Sequence, residues 1–168
     1  MNEPGTLLVV GLGNPIMGDD GLGLAALDRL RRDWRLPAGI ELVDGGTWGM
    51  RLLPVIEEAQ AVLLLDAIDA GRMPGDLIEL EGDELPRLFG HKLSPHQIDL
   101  REVLAVAGLR GTLPPRLAAV GLQPERIELS AHLSPVVAGG VDRMLAAVAA
   151  RLATWGHPIL PGRTPAVA

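Results

Sequence analysis

Several polar residues follow short apolar runs or begin predicted helices, and their side chains suit acid–base or metal-binding chemistry. Aspartate can act as a general base or bind a cation, and neutral histidine can do the same. Ligands of open α/β sheets bind at the carboxyl ends of the strands, so these residues are expected to meet at one edge of a sheet. They are Gly11–Asn14 with Asp19 and Asp20, then Asp44–Thr47, Asp66 and His96.

Asp66 directly follows Ala61–Leu65, the run of the chain that is most typical of a buried strand. A carboxylate buried at a strand end is unfavourable unless a cation or hydrogen bonds offset the loss of water. Asp66 therefore either binds a ligand or accepts hydrogen bonds from loop N–H groups. At the start of the first predicted helix, one of Asp19 and Asp20 is expected as the N-cap, which leaves the other to point into the cleft.

His96 is the second residue of a predicted helix in which Ser94 is the N-cap, Pro95 is the first residue and Gln97 completes a capping box. The helix dipole disfavours imidazolium at that position, so the ring stays neutral and able to bind a metal. The alternative is an exposed or simply hydrogen-bonded histidine.

The glycines after the first predicted strand partly match the dinucleotide-binding fingerprint. Gly11 and Gly13 occupy its first two glycine positions, and Asp44 follows the second strand, where a ribose-binding acid would lie. Ile16 occupies the third glycine position, so the pattern is half met. A tight strand-to-helix turn is the favoured interpretation.

Other candidate chemistry has weaker support. The chain has no G-x-S-x-G nucleophile elbow, and helix capping explains Ser94 and Ser134. For His132, an exposed position is favoured over one at the sheet edge. Trp48 is either a core residue, which is favoured, or an exposed contact for a peptide partner.

The elements that must position these residues alternate between strands and helices, which predicts an α/β sandwich with a mostly parallel sheet. About ten residues separate the third and fourth strands, too few for a crossover helix, so the fourth strand is expected to be antiparallel. The predicted strands are Thr6–Val10, Ile40–Val43, Ala61–Leu65, Asp76–Leu80 and Arg116–Gly121, and the predicted helices start near Asp19, Met50, Ser94 and Ser134.

Composition excludes several classes of protein. The 168 residues suit one domain, expected over residues 1–155 with a frayed tail at 156–168. The net charge of −6 argues against a binder of nucleic-acid backbones, and the absence of cysteine excludes disulfide scaffolds and thiol catalysis. No secretory signal and no apolar run near the roughly 18 residues of a membrane span is present, so a cytoplasmic location is expected.

Taken together and in order, the motifs closely resemble those of the nickel–iron (NiFe) hydrogenase maturation endopeptidases. The resemblance runs in register from about Leu7 to Leu152. Any one motif would be weak evidence, but the ordered set at similar spacing is specific. The motifs are Gly11–Pro15, Asp19–Gly23, Asp44–Thr47, Leu65–Ala67 and Ser94–Gln97, with Gly121–Glu125 similar to a late strand and loop of that family.

The resemblance implies a three-layer α/β/α sandwich around a five-stranded twisted sheet. It also implies an activity: members of the family remove a short C-terminal peptide from the precursor of the hydrogenase large subunit. They do so only after nickel has been inserted into the precursor, and removal lets the new C-terminus fold over the metal centre.

The resemblance further implies roles for individual residues. Asp20, Asp66 and His96 correspond to the metal-contacting residues, and Asp20 or Asp66 is a candidate general base. The position of Asp20 is often glutamate in the family, so the shorter side chain reaches less far. Asp44–Thr47 corresponds to the segment near the C-terminal region of the substrate.

Two carboxylates and one imidazole would form an open oxygen and nitrogen site for Ni²⁺, which Cu²⁺ or Zn²⁺ would also occupy. Selectivity is therefore expected to come from the precursor, which supplies the nickel on its own thiolates. Nickel as a recognition element is the preferred interpretation. The alternative is a catalytic metal that polarises the scissile carbonyl or activates water.

The expected partner is the immature hydrogenase large subunit, bound by a monomer without nucleic acid or membrane insertion. Two rival hypotheses remain from the sequence. One is a nickel-sensing chaperone that binds the precursor without cleaving it. The other is a nucleotide-binding enzyme of the Rossmann type, suggested by Gly11, Gly13 and Asp44.

Overall fold

The computed structural model describes residues 5–46, 48–85 and 95–162, and for residues 95–99 it describes the backbone alone. In these ranges strands alternate with helices, as the sequence predicts. The strands are β1 (Leu7–Leu12), β2 (Trp34–Arg35), β3 (Ile40–Gly46), β4 (Ala61–Ala67), β5 (Leu77–Glu81), β6 (Arg116–Leu122) and β7 (Leu160–Pro161). The helices are α1 (Leu22–Asp33), α2 (Leu52–Glu58), α3 (Pro95–Arg110), α4 (Pro135–Ala138) and α5 (Val141–Thr154), with 3₁₀ turns at Gly18–Gly21 and Gly49–Arg51.

The central sheet has the strand order β3-β1-β4-β6-β5. The first four strands are parallel, and β5 is antiparallel to β6. The prediction of a five-stranded, mostly parallel sheet with an antiparallel fourth strand is confirmed. The connection between β4 and β5 is too short for a crossover helix, so β5 runs back along the far side of β6.

Helices cover both faces of the sheet, which gives the predicted three layers. Leu7 and Val9 of β1 pack in one cluster with residues of α1 and α5. The alternating residues Leu8, Val10 and Leu12 pack in a second cluster with residues of α2 and α3. Burial on both faces explains why the strands are continuous apolar runs. Of the helices in the described ranges, none is long and apolar enough to cross a membrane.

The chain reverses the direction in which it adds strands between β1 and β4. It passes from β1 to β3 on one side, and then to β4 on the other side of β1. The register pairs Gly11 with both Asp44 and Leu65, so the ends of all three strands are level. Ligands bind at such a switch point in doubly wound sheets, outside the carboxyl ends of the strands. Asp66 and the 3₁₀ turn that carries Asp20 both lie at this edge.

The final helical region differs from the prediction of one helix that begins at Ser134. It is divided into α4 and α5 by Gly139 and Gly140. Glycine has low helix propensity, and a Cβ at Gly140 would lie 2.9 Å from the Leu122 side chain. The apolar spacing continues across this break, and Val137, Val141, Leu145, Val148 and Leu152 are all buried.

The C-terminal region also differs from the prediction. β7 pairs antiparallel with β2, and Trp155 and Ile159 are buried against the first cluster. The prediction of a frayed tail from residue 156 is therefore wrong for residues 156–162, because burial of Ile159 and strand pairing hold this segment on the domain. Residues 163–168 lie outside the described residues.

Candidate active site

Asp20 lies in the 3₁₀ turn Gly18–Gly21, immediately after the loop that follows β1. Its side chain is 2% exposed, and the Asn14 N–H donates to its Oδ2 at 3.1 Å. Gly13 makes this arrangement possible. It has φ +116°, and a Cβ at this position would lie 1.8 Å from the backbone oxygen of Asp20. The glycine is thus required for the close approach of the β1 loop to the turn.

Asp66 is fully buried near the end of β4. The Ala67 N–H donates to its Oδ1 at 2.8 Å. Alternation along β4 places Asp66 on the same side as Val62 and Leu64, which pack in the cluster that includes α2 and α3. A carboxylate in this position loses its hydration, so hydrogen bonds or a cation must offset the cost.

Close packing of α1 against the sheet brings the turn that carries Asp20 to the end of β4. A Cβ at Gly23 would lie 2.2 Å from the oxygen of Leu65 and 2.3 Å from that of Leu12. The 3₁₀ turn itself contacts β4. The structure therefore brings two buried carboxylates, Asp20 and Asp66, to the shared edge of β1 and β4.

The segment Asp44–Thr47 is described as far as Gly46. Asp44 is exposed at the end of β3, next to Gly11 in the register. The Gly13 N–H donates to the Gly46 oxygen at 3.0 Å, which ties this segment to the loop that precedes Asp20. Thr47 lies outside the described residues.

His96 belongs to the first turn of α3, which begins at Pro95 as predicted. Helix α3 packs against α2 and the 3₁₀ turn Gly49–Arg51, in the layer on the same side of the sheet as Asp66. The side chain of His96 and all of Ser94 lie outside the described residues, so a ligand role for His96 stays a prediction. Among the described residues, no group of three or more His, Asp or Glu side chains could hold a metal ion.

Asp19 is buried, and its carboxylate accepts hydrogen bonds from several residues of a distant loop, a role that the sequence does not predict. Its Oδ2 accepts hydrogen bonds from the Glu125 N–H (2.9 Å), the Arg126 N–H (2.9 Å) and the Ser134 hydroxyl (2.8 Å). Its Oδ1 accepts one from the Ser134 N–H at 2.7 Å. Burial acts to raise the pKa of Asp19, but the hydrogen bonds from Arg126, Ser134 and Glu125 outweigh it and lower the pKa below its ordinary value.

These contacts correct two predictions. Neither Asp19 nor Asp20 caps α1, because Gly21 occupies the N-cap position. Ser134 is the N-cap residue of α4 by position, but its hydroxyl donates to Asp19 instead of accepting a helix N–H. Asp19 and Ser134 are 115 residues apart, so no local pattern could have paired them.

Gln123 is a second residue that organises this edge through long-range hydrogen bonds, and the sequence does not predict this role. It is 6% exposed, and its Oε1 accepts hydrogen bonds from the N–H groups of Ala70 (2.8 Å) and Arg72 (3.1 Å). Its Nε2 donates to Asp69 at 2.9 Å. Gln123 thus fixes the loop that follows Asp66. The signal available in the sequence was an amide directly after a buried strand.

A small cavity of about 140 Å³ lies between the turn and the loop that follows β6. His132 is exposed, as favoured by the sequence, and it also contributes to this cavity at the sheet edge. The lining residues are Gly18, Arg126, Glu128, Ser130, His132, Leu133 and Ser134.

Trp48 is 47% exposed, so its favoured interpretation as a core residue is wrong. It follows β3 closely, and its N–H donates to the Gly45 oxygen at 2.9 Å. A turn this tight, next to the sheet edge, leaves the indole outside both apolar clusters. The neighbouring Met50 is 45% exposed.

The two glycines that suggested nucleotide binding have structural roles. A Cβ at Gly11 would lie 2.7 Å from the Gly23 oxygen, so Gly11 permits close packing of α1. Gly13 permits the approach to Asp20. The chemistry that remains at this edge is that of buried carboxylates, which can bind a cation or accept a proton from water.

Comparison with known proteins shows which family the chain resembles. Residues 25–151 match the family model of the hydrogenase maturation proteases. The chain is 38% identical over 164 residues to the hydrogenase expression/formation protein HupD of Rhodobacter capsulatus. That alignment covers 96% of this chain and 78% of HupD. It is 35% identical over 156 residues to the hydrogenase 2 maturation protease of Escherichia coli, covering 92% and 95% of the two chains.

The fold is similar to a solved structure as well. The hydrogenase maturating endopeptidase HybD from E. coli superimposes with a TM-score of 0.88 at 34% identity. The superposition covers 93% of this chain and 97% of the other.

Proposed function

The chain belongs to the hydrogenase maturation protease family and is a peptidase, and from this premise we propose that it removes a short C-terminal peptide from the precursor of the NiFe hydrogenase large subunit. The observation that carries the proposal is the pair of buried carboxylates, Asp20 and Asp66, at the switch point of the sheet. Aspartate side chains are normally exposed to water, so the burial of these two needs another explanation. Both lie where an α/β sheet binds its ligand.

The proposed substrate is the precursor with nickel already inserted. The nickel arrives with the substrate, held by the precursor's own ligands, and Asp20, Asp66 and His96 contact it. Carboxylate oxygen and imidazole nitrogen suit Ni²⁺ but do not select it over Cu²⁺ or Zn²⁺. This lack of selectivity supports a role for nickel as a recognition element that marks the precursor as ready.

Peptide hydrolysis at this site needs a base for water. In our proposal Asp20 or Asp66 accepts a proton from a water molecule as its oxygen attacks the scissile carbonyl carbon. The C–N bond then breaks, the departing amine takes up the proton, and a new carboxylate remains on the large subunit. Asp44–Thr47 would bind the substrate chain near the cleavage site, and Gly46 of this segment is hydrogen-bonded to Gly13.

The rival function is a chaperone that binds the nickel-loaded precursor without cleaving it. Incubation of a purified, nickel-loaded immature large subunit with this protein, followed by gel electrophoresis and C-terminal sequencing, separates the two. We expect one shortened product with a single new C-terminus. A stable complex that contains only the full-length precursor would favour the chaperone instead.

A further inference from the structure

Asp19 has no part in the proposed chemistry, yet it is fully buried and accepts four hydrogen bonds. All four donors belong to the loop between β6 and α4, which we call the 125–134 loop. This loop contains no regular helix or strand in the described structure apart from a single β-bridge. Its position therefore depends on a few specific contacts.

Backbone hydrogen bonds join the same two segments. The Gly18 N–H donates to the Ser130 oxygen at 2.8 Å, and the Asp19 N–H donates to the Arg126 oxygen at 3.0 Å. The Ser130 N–H donates in return to the Ile16 oxygen at 3.0 Å. The 3₁₀ turn and the 125–134 loop thus form one hydrogen-bonded unit with the Asp19 carboxylate inside it.

Asp20 is the next residue of the same turn, and its Oδ2 accepts a hydrogen bond from the Asn14 N–H of the β1 loop. Any rotation of the turn that moved the carboxylate of Asp19 would also move that of Asp20. We propose that Asp19 is a positioning residue, which holds Asp20 in its reactive place by locking the turn to the 125–134 loop. This inference rests on the proposed function of Asp20.

The chemistry of the contact explains why a carboxylate is required. Asp19 Oδ2 accepts three hydrogen bonds and Oδ1 accepts one, and every partner is a donor. An asparagine would turn its NH₂ group toward at least one of these donors, because an amide has only one acceptor oxygen. A donor left without an acceptor in a buried site is unfavourable, so Asp19→Asn would loosen the unit.

The test compares variants that weaken the unit to different degrees. Asp19→Asn disturbs the unit most. Ser134→Ala removes only the hydrogen bond of the hydroxyl, so it can still be measured if Asp19→Asn fails to fold. Ser134→Thr retains the hydroxyl. The matched control is Thr112→Val, which removes a side-chain hydrogen bond of 2.7 Å to Glu57. Thr112 lies beyond the end of α3, at the opposite edge of the sheet.

Two measurements are made on each variant of the full chain. One is kcat and KM for cleavage of the immature large subunit. The other is the hydrogen exchange rate of the Asn14 amide by NMR, which reports directly on its bond to Asp20 and needs no activity. Loss of residues that orient a functional side chain costs about ten- to a hundredfold in affinity or activity.

We expect kcat to fall by about tenfold in Ser134→Ala and by up to about a hundredfold in Asp19→Asn, with KM little changed. Asn14 exchange is expected to accelerate about tenfold in both, because loss of a buried hydrogen bond favours local opening, and Ser134→Thr should restore both quantities. Thr112→Val should change neither. Normal kcat or normal Asn14 exchange in Ser134→Ala and in any folded Asp19→Asn would overturn the inference. Equal changes in kcat and Asn14 exchange in Thr112→Val would also overturn it.

Failure of the proposed function is distinguishable from failure of this inference. A wild-type protein that never cleaves the precursor contradicts the function. In that case the Asn14 exchange rates alone decide whether Asp19 positions Asp20.

Discussion

At the scale of single residues, two consecutive aspartates have different surroundings. Asp19 is enclosed by four donors from the 125–134 loop, whereas Asp20 faces the β1 loop at the switch point of the sheet. The hydrogen bonds lower the pKa of Asp19, so it stays ionised and serves the structure. In our proposal, Asp20 takes part in the chemistry at the sheet edge. Adjacent residues of one type can thus divide between support and function.

Asp66→Asn should abolish most of the processing activity. The amide cannot accept a proton from water, and loss of a general base costs about 100- to 10,000-fold in rate. The measurement is the cleavage rate of the immature large subunit, with thermal unfolding to verify that the variant is folded. Glu102→Gln is the control, because it removes an exposed carboxylate from α3. Cleavage by Asp66→Asn at the rate of the control would disprove this role.

Gly13→Ala should destabilise the fold far more than Gly71→Ala. Gly71 has φ +66°, where an alanine costs about 1–2 kcal/mol, whereas Gly13 has φ +116°, outside the left-handed helical region and more strained for an alanine. A Cβ at Gly13 would also lie 1.8 Å from the Asp20 oxygen, whereas nothing lies within 4 Å of one at Gly71. Urea unfolding of the two variants measures the combined effect of the clash and the more strained φ, which we expect to exceed about 2 kcal/mol. Equal losses would mean that the β1 loop relaxes freely.

The sequence predicts which residues are candidates for the site better than it predicts what surrounds them. Asp66 could be found because it follows a recognisable strand, and Asp20 because it begins the helical stretch after the first strand; both positions converge at one edge of an α/β sheet. The role of Asp19 could not be found, since its partners are more than 100 residues away in the chain. The exposure of Trp48 was also missed, because residue type predicts burial only on average.

At the scale of elements, the apolar runs determine the architecture. Continuous burial in β1, β4 and β6 requires helices on both faces of the sheet, which is why the three layers could be predicted. The break between α4 and α5 could not be predicted from periodicity, because the apolar spacing continues across it. Only the Gly139-Gly140 pair signals it, and glycine inside a helical pattern is an ambiguous signal.

The end of α1 should show a pH-dependent contribution to stability. Hydrogen bonds from Arg32 and Arg29 lower the pKa of Asp33 to about 2. Because the pKa is lower in the folded state, the ionised carboxylate stabilises the fold at pH values above its ordinary pKa of 3.8. This stabilisation is lost as the pH falls toward about 2. We therefore expect Asp33→Asn to be less stable than the wild type at pH 6.

Denaturant unfolding of both proteins across pH 2–6 checks this. The difference in the free energy of unfolding should be modest, because these ion pairs are largely exposed, and it should shrink between about pH 4 and pH 2. A difference that stays constant over this range would show that Asp33 contributes through something other than its charge.

At the scale of the whole molecule, residues 155–161 pack back onto the domain and complete its core. Trp155 and Ile159 complete the first apolar cluster, and β7 pairs with β2 at the end of α1. Three prolines and the lack of periodicity in residues 156–168 suggested a frayed tail, since local composition carries no information on a distant pairing partner. The extent of the folded domain is therefore the feature of the fold that sequence predicted least well.

Ile159→Ala and Leu160→Ala test this packing as a matched pair of neighbours. Ile159 is 5% exposed and Leu160 is 66% exposed. Truncation of a buried isoleucine costs about 2–5 kcal/mol, whereas an exposed leucine should cost about 0.5 kcal/mol or less. Thermal or urea unfolding gives both values. Similar small losses would indicate that residues 156–162 contribute little to the stability of the domain.

The most direct test of the account is the intact mass of an immature NiFe hydrogenase large subunit after incubation with this protein, with and without nickel in the precursor. We predict loss of one C-terminal peptide from the nickel-loaded precursor and no change in the nickel-free one. No loss from the loaded precursor would contradict the proposed cleavage. Equal loss from both would contradict nickel as the recognition element.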